Sequence, residues 1–149
     1  MSKIHQQWMR LALKEAEIAF RNKEIPIGAI IVKDNKLISK GHNQVELLKD
    51  ATAHAEMLAI TSASSFLNDW RLSDCDMYVT LEPCCMCAGA IIKSRIKNIF
   101  FGAYNESEGC VSSLYNICND IRLNHQCGIQ GGILNDECSY LLKSFFDIL

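Results

Sequence analysis

From His5 to Phe20 the apolar residues Trp8, Leu11, Ala12, Ile18 and Ala19 recur at helical spacing. That period predicts an amphipathic opening helix with one face against a core. The pattern then changes: Ile27 to Val32 is a continuous, β-branched apolar run, as expected of a strand buried on both faces. Asp34 and Asn35 supply turn residues and Lys36 to Ser39 return the chain, so a β-hairpin is predicted. The segment His54 to Phe66 is rich in good helix formers (Ala55, Glu56, Met57, Leu58, Ala59), with Thr52 just upstream as a candidate cap. Met77 to Leu81 reads as a strand and Cys85 to Lys93 as a helix bearing the small residues Ala88, Gly89 and Ala90. Ile99 to Phe101 is a further short strand, ended by Gly102. Periodicity then fades until Leu134, after which Cys138, Leu141, Leu142 and Phe145 fall at helical intervals and predict a closing amphipathic helix.

Strands alternating with helices imply a layered α/β domain in which helices cover a central sheet. No linker, repeat or low-complexity tract divides the chain, and its two prolines, Pro26 and Pro83, stand where the pattern changes. The 149 residues, 49% hydrophobic and 21% charged, suit one domain spanning 1–149 with a real core. Met1 to Phe20 interleaves Lys3, Arg10, Lys14, Glu15 and Glu17 among apolar residues, so it does not read as a signal peptide, and nothing later approaches a membrane span. Eight cysteines without a secretion signal point to a reducing compartment, the cytoplasm, where thiols act as core residues, ligands or nucleophiles.

Two short segments hold the informative chemistry, each at a predicted helix start: Thr52-Ala53-His54-Ala55-Glu56 and Leu81-Glu82-Pro83-Cys84-Cys85-Met86-Cys87. Cys84 and Cys87, three residues apart, can turn both sulfurs to one metal, and a helix N-terminus favours the thiolate. With His54 they form a three-ligand set that leaves the fourth tetrahedral position of a zinc ion to water, which distinguishes a catalytic zinc from a closed structural one. Glu56, two positions after the histidine, can reach such a water without being a ligand and would relay the water's protons, one first to a ring nitrogen and the other later to the departing amine. The joint H-x-E and P-C-x-x-C pattern is the signature of zinc nucleobase deaminases. Either half alone has a plain alternative, a redox pair or a surface helix. The remaining cysteines, Cys75, Cys85, Cys110, Cys118, Cys127 and Cys138, contain no second ligand-spaced pair and are expected mostly as core thiols.

Beyond these motifs the chain resembles the bacterial tRNA-specific adenosine deaminases (the TadA family) of the cytidine deaminase-like superfamily. The likeness runs through Ile25-Pro26-Ile27-Gly28-Ala29, Gly41-His42-Asn43, Ala51 to Glu56, Trp70-Arg71-Leu72, Tyr78 to Ala90, Ser94-Arg95-Ile96, Asn124-His125 and Phe145-Phe146. The resemblance implies a three-layer α/β/α fold with a central mixed sheet, a homodimer, and hydrolytic conversion of adenosine to inosine at the first (wobble) anticodon position of a tRNA. It further implies one Zn2+ per chain on His54, Cys84 and Cys87, proton shuttling by Glu56, a hydrogen bond from Asn43 to the flipped nucleoside, and an anticodon site shaped by Phe145 and by the loop around Asn105. Read without the resemblance, Asn43 is a turn residue beside Gly41 and Phe145 a core residue of a helix.

The chain departs from the family pattern at Asn105, where an acidic residue is common, at Ala51 in place of a proline, and in ending at Leu149 without a basic tail. Its net charge of −2 lends RNA binding no support, and the one basic group, Lys93, Arg95 and Lys97, reads more simply as a solvated surface than as a phosphate-binding stripe. Two rivals stand beside the tRNA reading: a free-base or nucleoside deaminase such as guanine deaminase, and a non-catalytic, zinc-holding subunit of a deaminase heterodimer. Glu56 argues against the second, because a scaffold needs no proton shuttle.

Overall fold

Successive side chains of a strand point to opposite faces of its sheet, and here that alternation sorts the core into two layers. The computed structural model describes residues 2–149. Its strands are β1 (Gly28–Lys33), β2 (Lys36–His42), β3 (Cys75–Leu81), β4 (Asn98–Ala103) and β5 (Gly128–Gln130), and its helices α1 (Lys3–Arg21), α2 (Val45–Leu48), α3 (Ala55–Leu67), α4 (Cys85–Lys93) and α5 (Asn135–Asp147). The sheet order is β2-β1-β3-β4-β5. β1 runs antiparallel to β2 and β3, whereas β3, β4 and β5 are parallel, so the sheet is mixed. Ala29, Ile31, Met77, Val79, Ile99 and Phe101 face α3 and α4. Ile30, Val32, Tyr78 and Phe100 face the layer built from α1 and α5 with Met9, Ala12 and Cys138. The expected three-layer α/β/α architecture is what the chain adopts.

Two glycines let helices approach the sheet at backbone distance. A Cβ on Gly28 would stand 2.1 Å from the Ala12 carbonyl oxygen and 2.4 Å from the Ala16 nitrogen of α1, and one on Gly41 would stand 2.4 Å from the Ala55 oxygen of α3. Alanines at 12, 16, 55 and 59 complete both contacts and are fully buried. The hairpin turn uses Asp34 and Asn35 at φ 51° and 59°, the left-handed pair that a two-residue turn between twisted strands requires.

Most predicted elements appear with longer ends. The first helix extends over Lys3–Arg21, and the return strand of the hairpin reaches His42. Thr52 does not cap α3; the N-cap is His54, and Thr52 instead donates from its N–H and its hydroxyl to the Asp50 carboxylate at 2.8 and 2.7 Å. That local turn satisfies the threonine and leaves the helix start free for the histidine. Three short elements were not anticipated: the single turn α2, a 3-10 turn at Ile117–Asn119, and β5, which pairs with β4 through Asn98, Ile99 and Phe100. Among the described residues no helix is long and apolar enough to cross a membrane.

Because the atoms facing Gly28 belong to the α1 backbone, they cannot yield without moving the helix. Gly28→Ala is expected to destabilise the fold by about 3 kcal/mol, read as a fall in the denaturant midpoint at unchanged slope.

Candidate active site

β3 ends at Leu81, and Glu82-Pro83 carries the chain directly into α4. Cys84 is the N-cap of α4 and His54 the N-cap of α3, both with extended backbone (φ −73°, ψ 178° and φ −77°, ψ 154°). Each residue's carbonyl accepts the first bond of its helix, from Ala88 N–H at 2.8 Å and from Leu58 N–H at 3.1 Å. The two side chains are thereby aimed away from their helices toward the same end of the sheet. Cys87, one turn into α4 and fully buried, turns its sulfur back to that point. His54 Nδ1 lies 3.6 Å from Cys84 Sγ and 3.6 Å from Cys87 Sγ, and the three donor atoms all lie within 4.8 Å of one another. Zinc bonds of about 2.3 Å to sulfur and 2.0–2.1 Å to nitrogen at a tetrahedral angle separate sulfur from nitrogen by about 3.6 Å. The donor set and its spacing therefore fit zinc.

Glu56, in the first turn of α3, is 4% exposed. Burial pushes its carboxyl up to about 7; the sulfur of Cys84 adds to the rise and the His54 ring opposes it. A contact with the Cys87 thiol, supported by the His54 ring and opposed by burial, pulls Cys84 down to about 3, so that its sulfur carries the negative charge. The same contact and burial keep Cys87 protonated without a cation, and the bond to Cys84 raises His54. The site thus holds an anionic sulfur, a protonatable ring and a carboxyl that changes state near neutrality.

His54, Glu56 and Cys84 border a cavity of about 900 Å³ at the carboxyl ends of β3 and β4, with Cys87 buried behind them, where open α/β sheets commonly bind ligands. The structure brings the other expected site residues to it from far apart in the chain. Asn43, 5% exposed, donates from Nδ2 to the Ile25 carbonyl at 3.4 Å, while its Oδ1 is buried with no hydrogen-bond partner among the described residues. Asn105 borders the cavity, and its side-chain oxygen accepts bonds from Glu108 N–H at 3.1 Å and Ser107 Oγ at 3.3 Å, folding the tip of its own loop. Phe145 packs edge-on against Phe20 at 5.7 Å and also borders the cavity. Phe146 beside it is half exposed on the same wall. Lys93, Arg95 and Lys97 do not border the cavity; Lys93 ends a nine-residue helix that starts at the site, about 13 Å away along the axis. Arg95 spends its guanidinium on the Ile92 and Lys93 carbonyls at the end of α4.

The sequence reading did not single out Glu24 or the carboxylate of Glu82. Glu24, 2% exposed, accepts the N–H groups of Glu46 and Leu47 at 3.0 and 2.8 Å and so holds α2 at the cavity mouth. Its partners lie over twenty residues away, and no local pattern reports them. Cys85, which the sequence left without a place, is exposed at the start of α4, whereas Cys75, Cys110, Cys118, Cys127 and Cys138 are buried.

The chain matches the family model for MafB19-like deaminases over residues 3–138. It is 49% identical to the tRNA-specific adenosine deaminase of Aquifex aeolicus over 139 residues, covering 93% of this chain and 91% of that protein. The chain belongs to the tRNA-specific adenosine deaminase family. A structure solved in a study of A-to-I editing by tRNA:A34 deaminases at the wobble position superposes with a TM-score of 0.87 at 38% identity, covering 91% of this chain and 98% of that one. Guanine deaminase from Bacillus subtilis is similar over a smaller share, 70% of this chain and 66% of that one, with a TM-score of 0.64 and 39% identity. Membership in the deaminase family gives the His54, Cys84, Cys87 and Glu56 constellation its chemical context.

In the folded, metal-free chain a thiol reagent is expected to modify Cys84 and Cys85, while Cys75, Cys110, Cys118 and Cys138 react only after unfolding. Peptide mass spectrometry with and without denaturant checks this ordering.

Proposed function

We propose that this protein hydrolyses adenosine to inosine at the first (wobble) anticodon position of a tRNA, with one zinc ion per chain held by His54, Cys84 and Cys87. The observation that carries the reading is the convergence of those three donors with buried Glu56 beside a cavity that His54, Cys84 and Glu56 border and whose wall offers an acceptor, Asn43 Oδ1, without a hydrogen-bond partner among the described residues. Family membership supports RNA adenosine as the substrate. In this reading the protein works in the cytoplasm as a homodimer.

When bound, zinc supplies Lewis-acid activation of the attacking water at neutral pH. Glu56, whose burial raises its carboxyl to about 7, is able both to accept and to release a proton; it takes one from the attacking water and delivers it to a purine ring nitrogen, then takes the second from the hydroxyl now on the purine carbon and gives it to the amine as the carbon–nitrogen bond breaks. One water is consumed, and the products are a carbonyl at the purine carbon and ammonia. Asn43 Oδ1, which meets no donor among the described residues, takes its hydrogen bond from the nucleoside, which orients the base over the site. A loop nucleotide is chemically suited to this cavity, because an unstacked base can leave its neighbours at small cost. Leu142, Phe145 and Phe146 form the apolar wall against which it is held.

The deciding experiment measures ammonia and inosine from a short anticodon stem-loop with adenosine at its first anticodon position, beside free guanine, adenine and cytidine. Inosine in the RNA alone is expected; turnover of free guanine alone would move the protein to nucleobase salvage. The purified chain is expected to contain about one zinc. His54→Ala and Cys87→Ala lose it, whereas Glu56→Ala retains it and loses turnover, by metal analysis and the same assay. Asn43→Ala is expected to lower kcat/KM by about 10- to 100-fold, the size of one buried hydrogen bond to substrate.

A further inference from the structure

We propose that Glu82 is a positioning residue for the reaction: its carboxylate anchors residues 105–113 to the segment carrying Cys84 and thereby sets affinity for the RNA. The proposal rests on the RNA reading of the preceding subsection. Glu82 is 1% exposed, and among the described residues it takes part in no ion pair. Its charge is met by the loop. Oε2 accepts three successive backbone N–H groups, from Val111 at 3.2 Å, Ser112 at 2.7 Å and Ser113 at 2.8 Å. Oε1 accepts Asn105 N–H at 3.1 Å and the Ser113 hydroxyl. Three consecutive amides converging on one oxygen form an anion-binding concavity, here filled from within the chain.

The loop is shaped to admit that carboxylate. A Cβ on Gly109 would stand 2.4 Å from Glu82 Cδ and 2.6 Å from Oε1, so glycine is the residue that leaves room. Cys110 N–H donates to the Pro83 carbonyl at 2.9 Å, stitching the loop to the same segment a second time. The anchored stretch carries Asn105, Ser107 and Glu108 to the cavity, while Glu82 stands two residues before Cys84. One carboxylate therefore sets the distance between the groups that face the substrate and the end of the sheet where the metal donors meet. Burying a full charge is costly unless every lone pair is used, and a plain turn could be closed with neutral groups. Five charge-assisted bonds instead hold the loop in one conformation before substrate arrives, which lowers the ordering cost of binding.

Glu82→Gln keeps the shape but presents an amide NH2 to one of two donor clusters, so one cluster must be released. The expected result in the zinc-loaded enzyme is a KM for the anticodon stem-loop raised at least about tenfold, with kcat reduced less than about threefold. Backbone hydrogen exchange is expected to rise over residues 104–114 alone. Gly109→Ala, which presses on the same carboxylate from the loop side, should repeat the pattern, and it decides the matter if Glu82→Gln does not fold. Wild-type KM and wild-type exchange in the folded variant would overturn the proposal; so would zinc loss with kcat falling as steeply as KM rises, which would make Glu82 a support of the metal site. If the unmodified chain fails to deaminate the stem-loop, the substrate reading itself fails and the proposal goes with it, an outcome told apart by that control.

Discussion

Two helix N-termini must end within bonding distance of one point, and the rest of the molecule is arranged around that requirement. The Nδ1 to Sγ distances of 3.6 Å depend on α3 and α4 lying closely against one face of the sheet. α3 reaches its place because Gly41 offers no side chain where the Ala55 carbonyl must pass, and Ala55, Ala59 and Ala63 keep its inner face small. α4 reaches its own through Ala88 and Ile91 packed on β3 and β4. The helix ends then orient His54 and Cys84 as N-caps, and the first turns place Glu56 and Cys87 behind them. Packing of small residues on a sheet is in this way converted into the geometry of a site that could hold a metal ion.

Three buried glutamates around the cavity show how surroundings separate identical side chains. Glu24 and Glu82 spend their oxygens on backbone N–H groups of α2 and of the 105–113 loop. For Glu82 burial pushes the carboxyl upward, yet the bonds from Ser113, Asn105 and Ser112 outweigh it and hold the group below its usual range. Glu56 is buried with few donors and rises to about 7. Glu24 and Glu82 shape the cavity rim through those bonds, whereas the carboxyl of Glu56 lies where it changes state near neutrality.

Long periodic segments were legible because their signal is local. α1 and α5 repeat an apolar pattern over enough residues for the period to be read, β1 is a continuous apolar run, α3 is rich in helix formers, and Asp34-Asn35 announces its turn by residue type. β5 was not, since Gly128, Ile129 and Gln130 are too few to show alternation and become a strand only by pairing with β4. α2 is one turn held by Glu24 from more than twenty residues away. Thr52 had the residue type of a cap but found a nearer partner in Asp50, a competition between two local bonds that residue preferences do not resolve.

For the candidate site the division is sharper. His54, Glu56, Cys84 and Cys87 lie in two short segments whose internal spacing already encodes which side chains share a helix end, so the sequence alone determined the donor set and the reaction class it suits. It also determined the layered α/β plan, since the periods of strand and helix alternate along the chain. Only the tertiary structure decided that Asn43, Asn105 and Phe145 border one cavity, that Lys93, Arg95 and Lys97 stand a helix length away, and that Glu82 binds residues 23 to 31 positions beyond it. Those relations join segments with no common period, and they exist because the sheet order β2-β1-β3-β4-β5 brings distant strand ends to one edge, where hydrogen bonds form by proximity in space and leave no trace in local spacing.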